Sequence, residues 1–408
     1  MATNSGTATG AAIYPEQAAV SAEKWLLDDF TKGDFFFASP TAQYRARRAQ
    51  GVLSSHQPLN RGMVQALFEQ AAQRGMRDPL MFGLAPFDMS GPASMAIPSS
   101  WESAGIPSRP GASAPKETQK HGERPQIVSR VPVPAPEQYG DMVRKALRLF
   151  EQGELKKIVL SRAMDVRLDR PLDYTRLLPD LLSRNAHGYT FAVPIWAEGG
   201  NAEPTAVMVG ASPELLVRRS GDRIYVNPLA GSIGRNSDPE KDQALKEGLA
   251  RSEKDLREHG YVVADIARIL RGYCDELDVP AGPSVIGTDT LWHLSTYITG
   301  RLRDPSVTAL DLSCALHPTP AICGHPTAVA FSHIRELEPF DRGYFAGLVG
   351  WQRANGDGEW ALALRCALHT GSSQLRLYAG AGIVAGSDPD SEIRETATKM
   401  ETFMRAIS

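Results

Sequence analysis

The strand-like stretches of this chain come in hairpin-like groups and do not alternate regularly with helices, and that grouping constrains the fold more than any other feature. KKIVLSRAMDVRL, TFAVPIW, AVMVGASPELLVRR and RIYVNPLAGS form one group; GYFAGLVGW, WALALRCALHT and QLRLYAGAGIVAG form another. Parallel neighbours need a crossover segment between them, whereas antiparallel ones need only a turn. The pattern therefore predicts an α/β protein of the α+β type, with mainly antiparallel sheets flanked by helices, and not a doubly wound sheet. Helical periodicity is expected over YGDMVRKALRLFEQGEL beyond Pro136 and over about Asp238 to Leu277, where Val262, Val263, Ile266 and Ile269 make an apolar stripe. A last helix is expected from about Ser391.

Residues 1–20, rich in Ala, Thr, Gly and Ser, read as a disordered tail, and the folded domain as residues 21–408. Residues 89–130 are dense in Pro, Ser and Gly and read as a long surface excursion.

Within the last helix, Glu392, Glu395 and Lys399 stand at i, i+3 and i+7, which places all three on one face. Such a face suits a divalent cation and an acidic ligand; a solvated surface carrying a Glu395–Lys399 pair has the same pattern. A second helix, SEKDLREHGYVVADIA, repeats the arrangement with Asp255 and Glu258 three apart. Carboxylates from separate helices are what magnesium accepts, usually one or two of them with waters and a ligand oxygen. Acidic residues also favour a first helical turn for its dipole alone. His259, His293 and His317 lack zinc-site spacing.

The bulk chemistry narrows the partners. A net charge of −3 without a long basic run argues against nucleic acid or an anionic membrane surface and for a small-molecule ligand. Four cysteines in 408 residues show no CxxC and no disulfide framework, which fits a reducing cytoplasm. No apolar run approaches the roughly 18 residues of a membrane span, and the N-terminus lacks the basic start and apolar core of a signal peptide.

Several single residues invite chemistry. Lys156 and Lys157 point to opposite faces of their strand, so one of them points inward with Val159. A buried lysine can act as a base near neutral pH, and an edge lysine can simply prevent aggregation. Glu214 follows a Ser-Pro turn and enters a strand, where burial would make it a candidate acid. Gly231 in PLAGS permits close backbone approach to a ligand, or marks a turn. LHPTPAICGHP reads as a rigid loop that lines a pocket or turns the chain. Arg365, set in an apolar strand, needs a partner, either a ligand carboxylate or a structural acid.

Taken in order and spacing, KIVLSR, SPELLV, PLAGS, SEKDxxEH, LWHLST, LHPTPA, FDRGYFAG, LRCA and GAGIVAGSDPxSExRET resemble the chorismate-utilising enzymes, with isochorismate synthases the nearest likeness. The likeness is strong over residues 137–408 and weaker before. It implies one large domain with two antiparallel sheets and an active site between its halves, a monomer, and magnesium as cofactor. It implies Lys157 as the base that activates water and Glu214 as the acid that protonates the departing hydroxyl. Glu258 and Glu395 match magnesium ligands, with Asp255 and Glu392 supporting them. Gly231, Ser232, Arg365, Gly382 and Lys399 match positions that hold the substrate, and His293, Ala321, Ile322 and Phe345 match its pocket wall.

Ala230 occupies the place where relatives that make aminodeoxychorismate resemble this chain but carry a nucleophilic lysine; alanine leaves room for water. The helix continues EHGYVVADIARIL, without the Arg-Asn-Asp of anthranilate synthases. Salicylate synthases, which go on to eliminate pyruvate, generally lack the HPTPA found here at His317 to Ala321. Ile393 and His325 depart from the residues usual at their positions and bear on pocket shape. The motifs lean towards enzymes that supply 2,3-dihydroxybenzoate for catecholate siderophores, with a salicylate synthase, the menaquinone branch and a non-catalytic dianion binder as alternatives.

Overall fold

In the computed structural model, residues 25–48, 52–107, 123–185, 187–196 and 203–407 are described. The expected tail, residues 1–20, lies outside them.

All strand pairs run antiparallel. A ten-stranded sheet runs in the order Gly324–His325, Lys157–Leu168, Gln374–Val384, Cys366–Thr370, Ala206–Ser212, Tyr189–Ile195, Phe35–Ala38, Gln43–Ala46 and Glu102–Ala104, with Ile127–Val133 paired to Lys157–Leu168. A nine-stranded sheet runs Cys274–Asp278, Ile298–Leu302, Arg223–Asn227, Leu215–Ser220, Gly358–Leu362, Leu348–Arg353, Leu80–Ala85, Pro92–Pro98 and Val52–Pro58. A third sheet of three strands, Leu229–Gly234, Leu291–Ser295 and Ser284–Gly287, adds to the two the sequence pointed to.

The strand Phe35–Ala38 shows how the layers form. Side chains alternate across a strand, so Phe35 and Phe37 enter the core between the two large sheets, together with Phe82, Phe191, Val217 and Trp360. Phe36 and Ala38 enter a second core, under the helices Tyr174–Arg184 and Pro389–Ile407, with Leu178, Val209 and Phe403. A run of three phenylalanines needs apolar cover on both faces, and two cores provide it.

Three expectations change. The 89–130 stretch is not wholly a surface excursion, because Pro92–Pro98 is a strand of the nine-stranded sheet with Ala93 to Pro98 buried; its middle, residues 108–122, lies outside the described residues. The helix expected over Asp238 to Leu277 is two helices, Pro239–Arg251 and Glu253–Leu270, followed by the strand Cys274–Asp278. Ser252 is the reason: its backbone is extended, and its side chain accepts from Asp255 N and caps the second helix. WALALRCALHT is two strands in different sheets, broken over Ala363 to Arg365.

Candidate active site

The chain changes sheets twice at neighbouring places, and those places build the pocket. Ala206–Ser212 belongs to the ten-stranded sheet and Leu215–Ser220 to the nine-stranded one, so Pro213 and Glu214 form the corner between them. Gly358–Leu362 crosses back to Cys366–Thr370 through Ala363, Leu364 and Arg365. The corners clasp each other: Leu362 N donates to Glu214 O at 3.2 Å and Ala211 N to Arg365 O at 3.1 Å. Arg365 takes a φ of +47°, a conformation that costs a non-glycine residue energy and clusters at functional sites. A corner cannot continue either ladder, so both side chains are free to turn into the space between the sheets.

That space is a pocket open to solvent, about 810 Å³ when the solvent at its mouth is counted. Of the residues singled out in the sequence, Glu214, Gly231, Ser232, Asp255, Glu258, His293, Ala321, Ile322, Phe345, Arg365, Gly382, Glu395 and Lys399 line it. Lys157 and Glu392 do not.

Lys157, not Lys156, points inward and is fully buried. It lies behind Glu258, its Nζ 3.0 Å from Glu258 Oε1 but off the angle of a hydrogen bond, and it finds no hydrogen-bond acceptor among the described residues. Gly382 makes that arrangement possible. A Cβ there would lie 2.2 Å from Glu258 Oε1 and 3.3 Å from Lys157 Cε. Glu392 is buried too, pairing with Lys254 Nζ at 3.5 Å.

Glu214 is buried, accepts Leu229 N at 3.2 Å, and has its pKa pushed up to about 8, chiefly by burial. At neutral pH it carries a proton and can donate it. Burial lowers the Arg365 guanidinium to about 10, and no described carboxylate lies within ion-pairing distance of it. His293 accepts or donates at 2.6 Å with Ser232 Oγ through Nδ1, while its buried Nε2 has no partner among the described residues. Burial, with Arg365 and Lys399 adding, keeps its imidazole neutral.

At the other end, Lys399 Nζ lies 2.6 Å from Glu395 Oε1 and donates to Gly380 O at 2.9 Å. The i, i+4 pair expected of a surface helix is therefore present, but it faces the pocket. Burial, then Glu395, raises Glu392 to about 7, and burial, then Glu258 and Glu395, raises Asp255. Glu392 and Asp255 are thus disfavoured as anions by burial and by their acidic neighbours, and the oxygen donors gathered here would suit a divalent cation. Among the described residues no group of three His, Cys, Asp or Glu side chains stands close enough together to hold a metal ion on its own, so water and ligand oxygens would have to complete the coordination of any cation there.

The same acidic helix fixes the PLAGS loop. Gly231 has a φ of +79° with Asp255 Cβ against it, 3.0 Å from where a Cβ would stand. His259 Nδ1 lies 3.2 Å from Ala230 O, an acceptor, so Nδ1 carries the proton and Nε2 accepts from Thr296 Oγ1 at 2.6 Å.

Sequence reasoning missed one supporting group. Arg342 donates to Glu338 Oε1 at 2.6 Å, to Ile322 O and to Val159 O at 2.8 Å each, while Glu338 Oε1 accepts Ser161 N at 2.7 Å. This buried pair ties the pocket loop to the Lys157 strand. The signal available was Arg342 within FDRGYF, next to a proline-broken helix end.

Residues 108–408 match the family described as chorismate binding enzyme. The isochorismate synthase DhbC of Bacillus subtilis is 42% identical over 391 residues, covering 94% of this chain and 95% of that one. The vibriobactin-specific isochorismate synthase of Vibrio cholerae is 40% identical, covering 93% of each. A crystal structure of the putative 2,3-dihydroxybenzoate-specific isochorismate synthase DhbC from Bacillus anthracis superposes with a TM-score of 0.83 at 40% identity, covering 93% of this chain and 98% of that one. The chain belongs to the chorismate binding enzyme family. These three relatives, which resemble it over nearly its whole length, are named as isochorismate synthases, one of them putatively.

Proposed function

We propose that this protein is an isochorismate synthase that converts chorismate to isochorismate by adding water at ring carbon 2 and releasing the carbon 4 hydroxyl. The observation that carries the reading is Glu214, a carboxylic acid held protonated at neutral pH by burial and facing the same pocket as Arg365, which has no ion-pair partner among the described residues. The reaction is an isomerisation, so atoms balance: one water enters, and one hydroxyl leaves as water once Glu214 has protonated it. Lys157, as the neutral amine, is the base that the family likeness assigns to the entering water; it stands behind Glu258 and outside the pocket lining, so the proton would reach it by way of Glu258. Arg365 and Lys399 offset the charge of the dianionic substrate, and His293 Nε2 offers it a polar contact. Ala230 leaves a small wall where a longer side chain would exclude water.

We assign magnesium to Glu258 and Glu395, with Asp255 and Glu392 in support; when bound it would anchor the ring carboxylate and draw electron density towards it. Names of relatives specific for vibriobactin and 2,3-dihydroxybenzoate support a role in feeding 2,3-dihydroxybenzoate to catecholate siderophore synthesis. We also read the chain as a cytoplasmic monomer; no helix among the described residues is long and apolar enough to cross a membrane.

Supplied with chorismate and magnesium, the protein should yield isochorismate without pyruvate. Pyruvate released at a matching rate would make it a salicylate synthase, and no turnover with chorismate still bound would make it a binder. Glu395→Gln should weaken metal-dependent binding; an unaltered magnesium requirement would remove Glu395 from the metal site.

A further inference from the structure

Two of the side chains that line the pocket bury a polar atom with no hydrogen-bond partner among the described residues: His293, through Nε2, and Ser161, through Oγ. His293 has a place in the chemistry above, and Ser161 has none. Ser161 is wholly buried in the strand Lys157–Leu168, and its backbone N donates to Glu338 Oε1 at 2.7 Å. The strand is therefore held at this point through the amide, and the hydroxyl adds no bond to the ligand-free fold. A donor left unmatched inside a protein costs stability, and an alanine would fill the same place without that cost.

Gly380 keeps the hydroxyl open to the pocket. It faces Ser161 across the ladder, and a Cβ there would stand 2.7 Å from Ser161 Oγ and 3.3 Å from Val159 Cγ1. One step along the same two strands, Val159 faces Gly382, the glycine over which Glu258 Oε1 lies at the acidic end. Side chains two residues apart on a strand share a face and stand about 7 Å apart, so Ser161 meets a part of the ligand roughly that far from the acidic end. Tyr378, two residues before Gly380 on the same face, closes this side of the pocket, and Phe345 stacks on it at 5.0 Å. The hydroxyl is thus a lone neutral donor beside an aromatic wall.

We propose that Ser161 is a substrate-binding residue whose hydroxyl donates to an oxygen of the enolpyruvyl side chain of chorismate. The inference rests on the reading of the protein as an isochorismate synthase and deepens it. In that reading the ring carboxylate lies at the acidic end and Glu214 serves the departing hydroxyl, which leaves the enolpyruvyl oxygens for a neutral donor. That side chain is a flat vinyl group carrying an ether and a carboxylate, and it suits a hydroxyl set beside two aromatic rings. Ser161 takes no part in proton transfer.

The test compares full-length wild type with Ser161→Ala in the presence of magnesium. The readouts are chorismate turnover and competition by 3-hydroxybenzoate and by its enolpyruvyl ether, two ring acids that differ only in the side chain. Ser161→Ala should raise the KM for chorismate about tenfold with kcat little changed, and should weaken inhibition by the ether about tenfold. 3-Hydroxybenzoate should inhibit both proteins alike. The thermal midpoint of ligand-free Ser161→Ala should equal or exceed that of wild type, because no bond is lost. An unchanged KM, an equal loss for the two inhibitors or a lower midpoint overturns the proposal. If Ser161→Ala does not fold, Ser161→Cys keeps the shape and weakens the donor: a loss confined to the ether supports the proposal, and unchanged inhibition by the ether overturns it. A wild type that forms no isochorismate removes the underlying reading and the proposal with it. A wild type that forms isochorismate while Ser161→Ala matches it in every readout removes the proposal alone.

Discussion

The two ends of the pocket differ in how their charges are matched. At the acidic end, Glu258, Glu395 and Glu392 each lie against a lysine before any ligand arrives. At the corner end, among the described residues, Arg365 has no carboxylate within ion-pairing distance and His293 Nε2 has no partner, and Glu214 is held uncharged. Burying an unmatched polar group costs several kcal/mol, so a fold tolerates one where a ligand completes it. The matched end is organised in advance; the unmatched end is organised by substrate. Substitutions at the two ends should therefore fail in different ways.

The largest effects are expected where a proton moves. Glu214→Gln and Lys157→Ala should each lower kcat by about 10²- to 10⁴-fold. Their side effects should differ. Glu214 accepts only a backbone N–H, so Glu214→Gln should keep magnesium binding intact. Lys157→Ala removes the contact with Glu258 and should shift magnesium affinity as well. Turnover that survives Lys157→Ala would remove the lysine from the base role.

Arg365→Ala should come next, with kcat/KM for chorismate down by about 10²-fold, the range for truncating one partner of a buried charge pair. The loss should appear mainly in KM, with magnesium affinity little changed. An equal loss in metal binding would mean the ends are not separate.

Glu214 also predicts a pH profile. The acid works protonated, so turnover should fall about tenfold per unit as pH rises beyond about 8, and that limb should vanish in the residual activity of Glu214→Gln. Stability has the same sign. A carboxyl raised from 4.5 to about 8 contributes stability that is fully present below pH 4.5 and lost as pH rises through 8. Glu214→Gln should therefore gain stability relative to wild type across that window, as measured by denaturant unfolding at pH 5 and pH 8.

The same contrast explains what the sequence disclosed. The acidic end was legible because helices carry their geometry in their spacing: Asp255 and Glu258, and Glu392 and Glu395, are neighbours on a face wherever the helix lies. The inward choice of Lys157 over Lys156 needed the sheet, and the placement of Lys157 behind Glu258 needed Gly382. The corner end was legible only as motifs. Nothing in WALALRCALHT marks Arg365 as the point where the chain leaves one sheet for another, because Gly358–Leu362 is wholly buried, Cys366–Thr370 mostly so, and the two read as one apolar run. Pro92–Pro98 was hidden for a related reason: its Ser, Pro and Ala composition resembles a loop, and its burial comes from partners distant in sequence.

Two glycines give the smallest effects and sharpen the contrast at the level of backbone. Gly382→Ala would set a methyl group against Glu258 Oε1 and Lys157 Cε, so it should displace a matched pair. A cost of about 1–3 kcal/mol is expected, with magnesium affinity reduced. Gly231→Ala meets a different obstacle. Its φ of +79° costs an L-residue about 1–2 kcal/mol, and the nearest group, Asp255 Cβ at 3.0 Å, belongs to the helix that must hold its place for the metal. Relief by movement of the loop would carry Ala230 O away from His259 and shift Ser232, which bonds His293. Gly231→Ala should therefore raise the KM for chorismate more than it changes magnesium affinity, while Gly382→Ala should do the reverse. Measured side by side, the two methyl groups would show whether substrate and metal are held by separable parts of one pocket.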